Sequence, residues 1–171
     1  MGTLEKVHHS FIVKETVIAI VVNVTLTGII TYLMFHDHGE IGLWGKNGIF
    51  FDLIPTILIM TFLMTVAITA VTRMRIKKGT APALPWQSTE HSVFRFFSGP
   101  FLIRGLLLGL SALLILLPST TGLLLIFEKF SMTVVQLIVF KTFLAMFIAL
   151  IFAPAILVLA MSDAWSRSMT P

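Results

Sequence analysis

Hydrophobic residues run along this chain in four long blocks separated by polar stretches, and the length of the blocks, more than any periodicity inside them, predicts the elements. The blocks cover residues 12–35, 48–72, 100–117 and 132–161. A helix needs about 20 apolar residues to cross about 30 Å of hydrocarbon with every backbone hydrogen bond closed inside the segment. The pattern therefore predicts an all-α, polytopic membrane protein, a single domain of four transmembrane helices built as two hairpins with loop 73–99 between them. No small-residue cleavage site follows the first block, so helix one is expected to remain in the mature protein.

Breakers refine the boundaries. Pro118 followed by Ser-Thr-Thr-Gly is a cluster that predicts the end of helix three at residue 117, with the following LLLIFEKF lying along the interface until helix four begins. In the middle loop, Gly79, Pro82 and Pro85 interrupt the chain, and Ser88 or Thr89 can cap a short turn carrying Val93, Phe94, Phe96 and Phe97 around Arg95. That turn reads either as a segment lying in the headgroup region or as an ordinary loop that sets topology. The two halves also align without a gap, IFFDLIPTILIM on IVFKTFLAMFIA, which predicts a weak internal repeat and sets Asp52 against Lys141.

Composition supports the membrane class, with 57 % hydrophobic and 12 % charged residues. The net charge of +4 resembles a nucleic-acid signal until its distribution is considered. Alternating the loops between two sides groups nine of the twelve Lys and Arg residues, Arg73, Arg75, Lys77 and Lys78 among them, against Lys46, Lys129 and Lys141. This bias predicts an inner (plasma) membrane protein with both termini and loop 73–99 cytoplasmic, and with Arg73, Arg75, Lys77 and Lys78 at lipid headgroups; nucleic acid is not an expected partner. The absence of cysteine excludes disulfides, thiolate metal sites and cysteine nucleophiles.

Ionisable residues inside the predicted spans are the best functional pointers, because a charge at mid-depth costs at least about 2.5–3.5 kcal/mol. Asp52 lies about one turn into helix two and Lys141 about ten residues into helix four, and each is the other's expected partner. Asn23 sits near the centre of helix one, on a stripe with Glu15, Ala19, Thr27 and Thr31. Further stripes, Thr61, Thr65 and Thr69 on helix two, Gly105 and Gly109 on helix three, and Ala145, Ala149 and Ala153 behind Lys141, predict close helix packing.

The loop FHDHGEIGLWGKNGIFFDLIP holds the one candidate metal set, His36, His38 and Glu40, whose spacing gives weak grounds for zinc or copper. No histidine lies deep in a span, which argues against haem, and no cofactor or catalytic residue is indicated.

Asn23, the Leu-Trp-Gly entry at Leu43 to Gly45, the Phe-Asp-x-x-Pro at Phe51 to Pro55 and the basic end Thr72-Arg73-Met74-Arg75 together resemble a group of small bacterial four-helix inner-membrane proteins. The resemblance lies mainly in the first half of the chain. It implies a bacterial inner-membrane location and carries no activity. The functional expectation is a non-enzymatic accessory or assembly subunit of a larger membrane complex. The alternatives are a small homodimeric permease or ion pathway using Asp52 and Lys141, and a metal-binding protein or metalloenzyme at the outer loop.

Overall fold

The computed structural model describes residues 2–46, 48–81 and 100–168, with side chains from 8 to 162 within those ranges. Among the described residues four helices and two short strands follow one another: α1 (Gly2–Phe35), β1 (Glu40–Gly42), α2 (Ile49–Lys77), α3 (Phe101–Ile126), β2 (Ser131–Thr133) and α4 (Val134–Ser168). All four helices contain a stretch long and apolar enough to cross a membrane, over His8–Phe35, Ile49–Lys77, Phe101–Ile126 and Val134–Ser162. The chain is an all-α, multi-pass membrane protein. The short turn expected around Val93 to Phe97, with its caps at Ser88 or Thr89, lies outside the described residues.

Helix three does not stop at Pro118. The proline stands inside α3, which runs on to Ile126. Pro118 offers no N–H to the Leu114 carbonyl, but in hydrocarbon no water competes for the neighbouring backbone groups, and continuing the helix satisfies them. Ser119 and Thr120 reinforce the turn by donating to the carbonyls of Ile115 and Leu116, both at 2.6 Å. The helix ends instead where the chain takes a left-handed residue. Glu128 has φ 52°, and Lys129 N–H reaches back to the Leu124 carbonyl at 2.9 Å while Glu128 N–H bonds that of Leu125 at 3.1 Å. This is a Schellman-type stop. Gly79 (φ 70°) closes α2 in the same way, with Thr80 N–H on the Arg75 carbonyl. Glycine advertises such a stop in the sequence, and glutamate does not.

A second feature without a sequence signal is the pairing of the two loops at one end of the bundle. β1 and β2 are antiparallel, with Glu40 opposite Thr133, Ile41 opposite Met132 and Gly42 opposite Ser131. Leu43 N–H extends the ladder to the Phe130 carbonyl at 2.7 Å, and Ile41, Leu43 and Met132 turn inward. At three residues each, both strands are too short for a period-2 pattern to stand out.

The two hairpins follow the chain order expected, yet the helices of a hairpin are not each other's main partners. α1 packs chiefly on α4, α3 on α2, and α2 on α4, whereas α1 touches α2 only sparsely. The order across the bundle is therefore α1, α4, α2, α3. Each half lends its first helix to the second helix of the other half, as a two-fold exchange between internal repeats produces. Burial supports the repeat. Ile49, Leu53, Ile57, Thr61, Thr65 and Thr69 form one buried run at i+4 spacing on α2, and Leu137, Lys141, Ala145, Ala149, Ala153 and Leu157 form its counterpart on α4. Lys141 lies within its run, whereas Asp52 stands one position before Leu53 in the run on α2.

The small-residue stripes are used inside the chain. A Cβ on Gly105 would stand 3.0 Å from the Phe62 ring, and one on Gly109 would stand 3.1 Å from the Leu58 side chain, so these two glycines bring α3 onto α2. Ala145, Ala149 and Ala153 do the equivalent work on α4, all fully buried.

Candidate functional site

The tight loop LWGKNG sets the start of α2 and hence the place of Asp52. Gly45 has φ 112°, and a Cβ on Gly48 would lie 2.7 Å from the backbone of Trp44, so both positions require glycine. Gly48 N–H bonds the Gly45 carbonyl at 2.9 Å and Phe50 N–H bonds that of Leu43 at 3.1 Å. Asp52 falls in the first turn of the helix, and Pro55 follows it. From this turn the Asp52 carboxylate accepts a 2.7 Å hydrogen bond from the Lys141 ammonium on α4. The side chains are 10 % and 2 % exposed. The ammonium also lies 5.7 Å from the centre of the Phe35 ring. A lysine this deep in the bundle needs a counter-ion, and Asp52 supplies it.

A second pair stands toward the other end. Arg75 donates to the Glu15 carboxylate, joining α2 to α1. Between the two pairs, side chains bridge the same seam. Asn23 donates from Nδ2 to the Met64 sulfur at 2.9 Å, and Thr27 donates to the Met60 sulfur at 3.1 Å. Nothing in the sequence marked Met60 and Met64 as polar partners, because methionine reads as filler.

Since α1 and α2 touch only sparsely apart from these reaching side chains, a cleft remains along their seam. It has two sections. One, of about 340 Å³, is lined by Glu15, Ile18, Val22, Asn23 and Leu26 of α1 with Leu63, Met64, Val71 and Arg75 of α2. The other, of about 230 Å³, is lined by Thr27, Ile30, Thr31 and Met34 of α1, by Asp52, Pro55, Thr56, Ile59 and Met60 of α2, and by Lys141. On α1 the first section ends at Leu26 and the second begins at Thr27, so the sections are consecutive. From Glu15 to Met34 the cleft extends about 28 Å at the helical rise, close to the thickness of the hydrocarbon. Its rim residues Ile18, Val22, Leu26, Ile30, Ile59 and Leu63 are all more than 40 % exposed. The cleft therefore opens sideways.

The residues proposed for a metal do not converge. His36 contacts Asp37 at 3.2 Å, the ring of His38 lies edge-on to Phe35, and Glu40 accepts from Ser131 at 3.1 Å. Among the described residues no group of three His, Asp or Glu side chains is placed to hold a metal ion, so the structure does not bring the expected His36, His38 and Glu40 set together. The physical reason is the strand: β1 turns Glu40 toward β2, away from the histidines.

The basic end is more ordered than a row of headgroup contacts. Arg73 lies 5.8 Å over the Phe101 ring, and Arg75 is held by Glu15, while Lys77 and Lys78 are exposed. Arg104 is wholly buried in the first turn of α3.

No protein-family model matches this chain, and searches of curated proteins and of solved structures likewise return no match.

Proposed function

We propose that the protein is a non-enzymatic accessory or assembly subunit of a larger complex in the bacterial inner membrane, presenting the α1–α2 cleft to a hydrophobic component. The observation that carries this reading is the chemistry of the cleft. It is open along its length, its rim is aliphatic, and its four charged groups are consumed in two pairs, Glu15 with Arg75 and Asp52 with Lys141. Paired charges offer little to a hydrated solute in transit, whereas an apolar surface with a few fixed polar points suits a bound membrane component. The Lys and Arg bias supports an orientation with the Arg73 to Lys78 end and both termini in the cytoplasm.

One observation favours a second reading, a homodimeric permease: Asp52 and Lys141 line the cleft rather than a closed core, and a second copy over the open side would convert the cleft into a channel. Purification in mild detergent at native expression level separates the two. A stoichiometric larger partner is the expected result. A clean homodimer, together with solute flux in proteoliposomes that Asp52→Asn abolishes, overturns the accessory reading in favour of the permease.

A further inference from the structure

The section of the cleft beside Asp52 has the makings of a ligand site that the ion pair alone does not explain. Lys141 is 2 % exposed, and its ammonium has three N–H donors, yet its described partners are one carboxylate oxygen of Asp52 and the face of Phe35. Thr31, across the same cavity, is fully buried with a hydroxyl that bonds nothing. This is unlike Thr61 and Thr65, which return their hydroxyls to helix carbonyls four residues back at 2.8 and 2.7 Å. Thr16, Thr69 and Thr121 also lack partners, but they line neither section of the cleft. Pro55, on the third wall, has no N–H to give the Phe51 carbonyl. Both donors thus stand in the wall of this cavity, and although the Asp52 carboxylate and the Thr56 hydroxyl line it too, the Thr31 hydroxyl is left unmade, which is costly for a buried polar group.

The occupant's chemistry follows from three constraints. It presents an acceptor oxygen to Lys141 and Thr31. It is uncharged at that point, because Asp52 already neutralises Lys141. It is thin and apolar beyond it: the bridges from Asn23 to Met64 and from Thr27 to Met60 hold α1 and α2 too close for a helix, which needs about 8–10 Å between axes, to lie between them. A single hydrocarbon chain fits along the seam, between Ile18, Val22 and Leu26 on one side and Leu63 and Val71 on the other.

We infer that the cleft binds an amphiphile from the bilayer, with a carbonyl oxygen held between the Lys141 ammonium and the Thr31 hydroxyl and its apolar chain lying toward Asn23. The inference rests on reading the cleft as the protein's binding surface, and it names what lies within that surface beneath any partner subunit. A phospholipid ester and a prenyl quinone both carry such a carbonyl.

The test is native mass spectrometry of the purified full chain in mild detergent, incubated separately with dioleoylphosphatidylethanolamine and with decylubiquinone. The wild type should retain one probe as a one-to-one adduct, and which probe is retained assigns the source of the carbonyl. Thr31→Val keeps shape and loses no internal hydrogen bond, so it should fold normally and retain about fivefold less, as expected for one hydrogen bond. Ile59→Trp, which fills the cavity from its exposed rim, should abolish retention. The inference is overturned by a wild type that holds neither probe more than Ile59→Trp does, or by Thr31→Val retaining as much as wild type. A chain without adduct that still brings down a stoichiometric protein partner overturns this inference and leaves the accessory reading standing. An adduct without a protein partner supports the inference and removes that reading.

Discussion

Asp52, one position before the buried Leu53 of α2, and Lys141, within the buried run of α4, meet at 2.7 Å across the two central helices. The carboxylate at the edge of one buried run thus reaches the ammonium inside the other. Removing one partner leaves the other buried and unpaired, at a cost of about 3–5 kcal/mol, while replacing both by apolar residues removes the desolvation cost together with the pair. Asp52→Leu is therefore expected to destabilise far more than Asp52→Leu with Lys141→Leu. A double-mutant cycle on unfolding in detergent measures the coupling, and additive effects would refute it.

The contact between α3 and α2 depends on the absence of a side chain at Gly109. Gly109→Leu should separate the two helices and cost about 1–3 kcal/mol, as overpacking does. Gly122, with nothing within 4 Å of its Cβ position, is the control and should tolerate alanine. Thermal unfolding of the two variants in detergent distinguishes them.

Glu128 terminates α3 in the left-handed region, where a side chain costs about 1–2 kcal/mol. Glu128→Gly relieves that cost and should raise the melting temperature, offset partly by the greater freedom of glycine in the unfolded chain. A fall in melting temperature would mean that the Glu128 side chain makes a contact worth more than the strain.

The strand pairing can be trapped covalently, because the chain has no cysteine of its own. Ile41 and Met132 are directly opposed, so Ile41→Cys with Met132→Cys should oxidise to an intramolecular disulfide visible as a mobility shift on a denaturing gel. Ile41→Cys with Ser131→Cys, one register away and on the opposite face, should react far more slowly.

Asn23 and Met64 form a hydrogen bond within the seam, and such bonds between membrane helices average about 0.6 kcal/mol. Met64→Leu should cost about that much in the wild type and nothing in an Asn23→Leu background, as read from detergent unfolding. A cost of several kcal/mol would show that Asn23 has no alternative acceptor.

Segment length and apolarity made the four spans legible, since hydrocarbon admits few other backbones. The pairing of Asp52 with Lys141 was legible because a lysine about ten residues into a span needs a counter-ion, and Asp52 is a carboxylate inside another span. The end of α3 was not, because Pro118 and the four residues after it are breakers in water and tolerable in lipid, and the actual stop, Glu128, belongs to a residue type that rarely adopts that conformation. The β-strands were too short to show a pattern. The cleft could not be anticipated either: its existence depends on α1 packing on α4 instead of α2, and partner choice among four apolar helices leaves no mark in composition. Nor does the sequence proximity of His36, His38 and Glu40 reveal that a strand turns Glu40 toward Ser131 of the other loop.

The exchange of helices between halves has a consequence for biosynthesis. α1 is made before α2 and α3, yet its principal companion, α4, follows both of them in the chain. Until α4 arrives, Asp52 waits in the bilayer or at the insertion machinery without Lys141, while Glu15 and Asn23 have their partners Arg75 and Met64 on α2. Truncation before α4 should therefore strand the first helix, and quality-control proteases should recognise the product as an orphan rather than as a stable half.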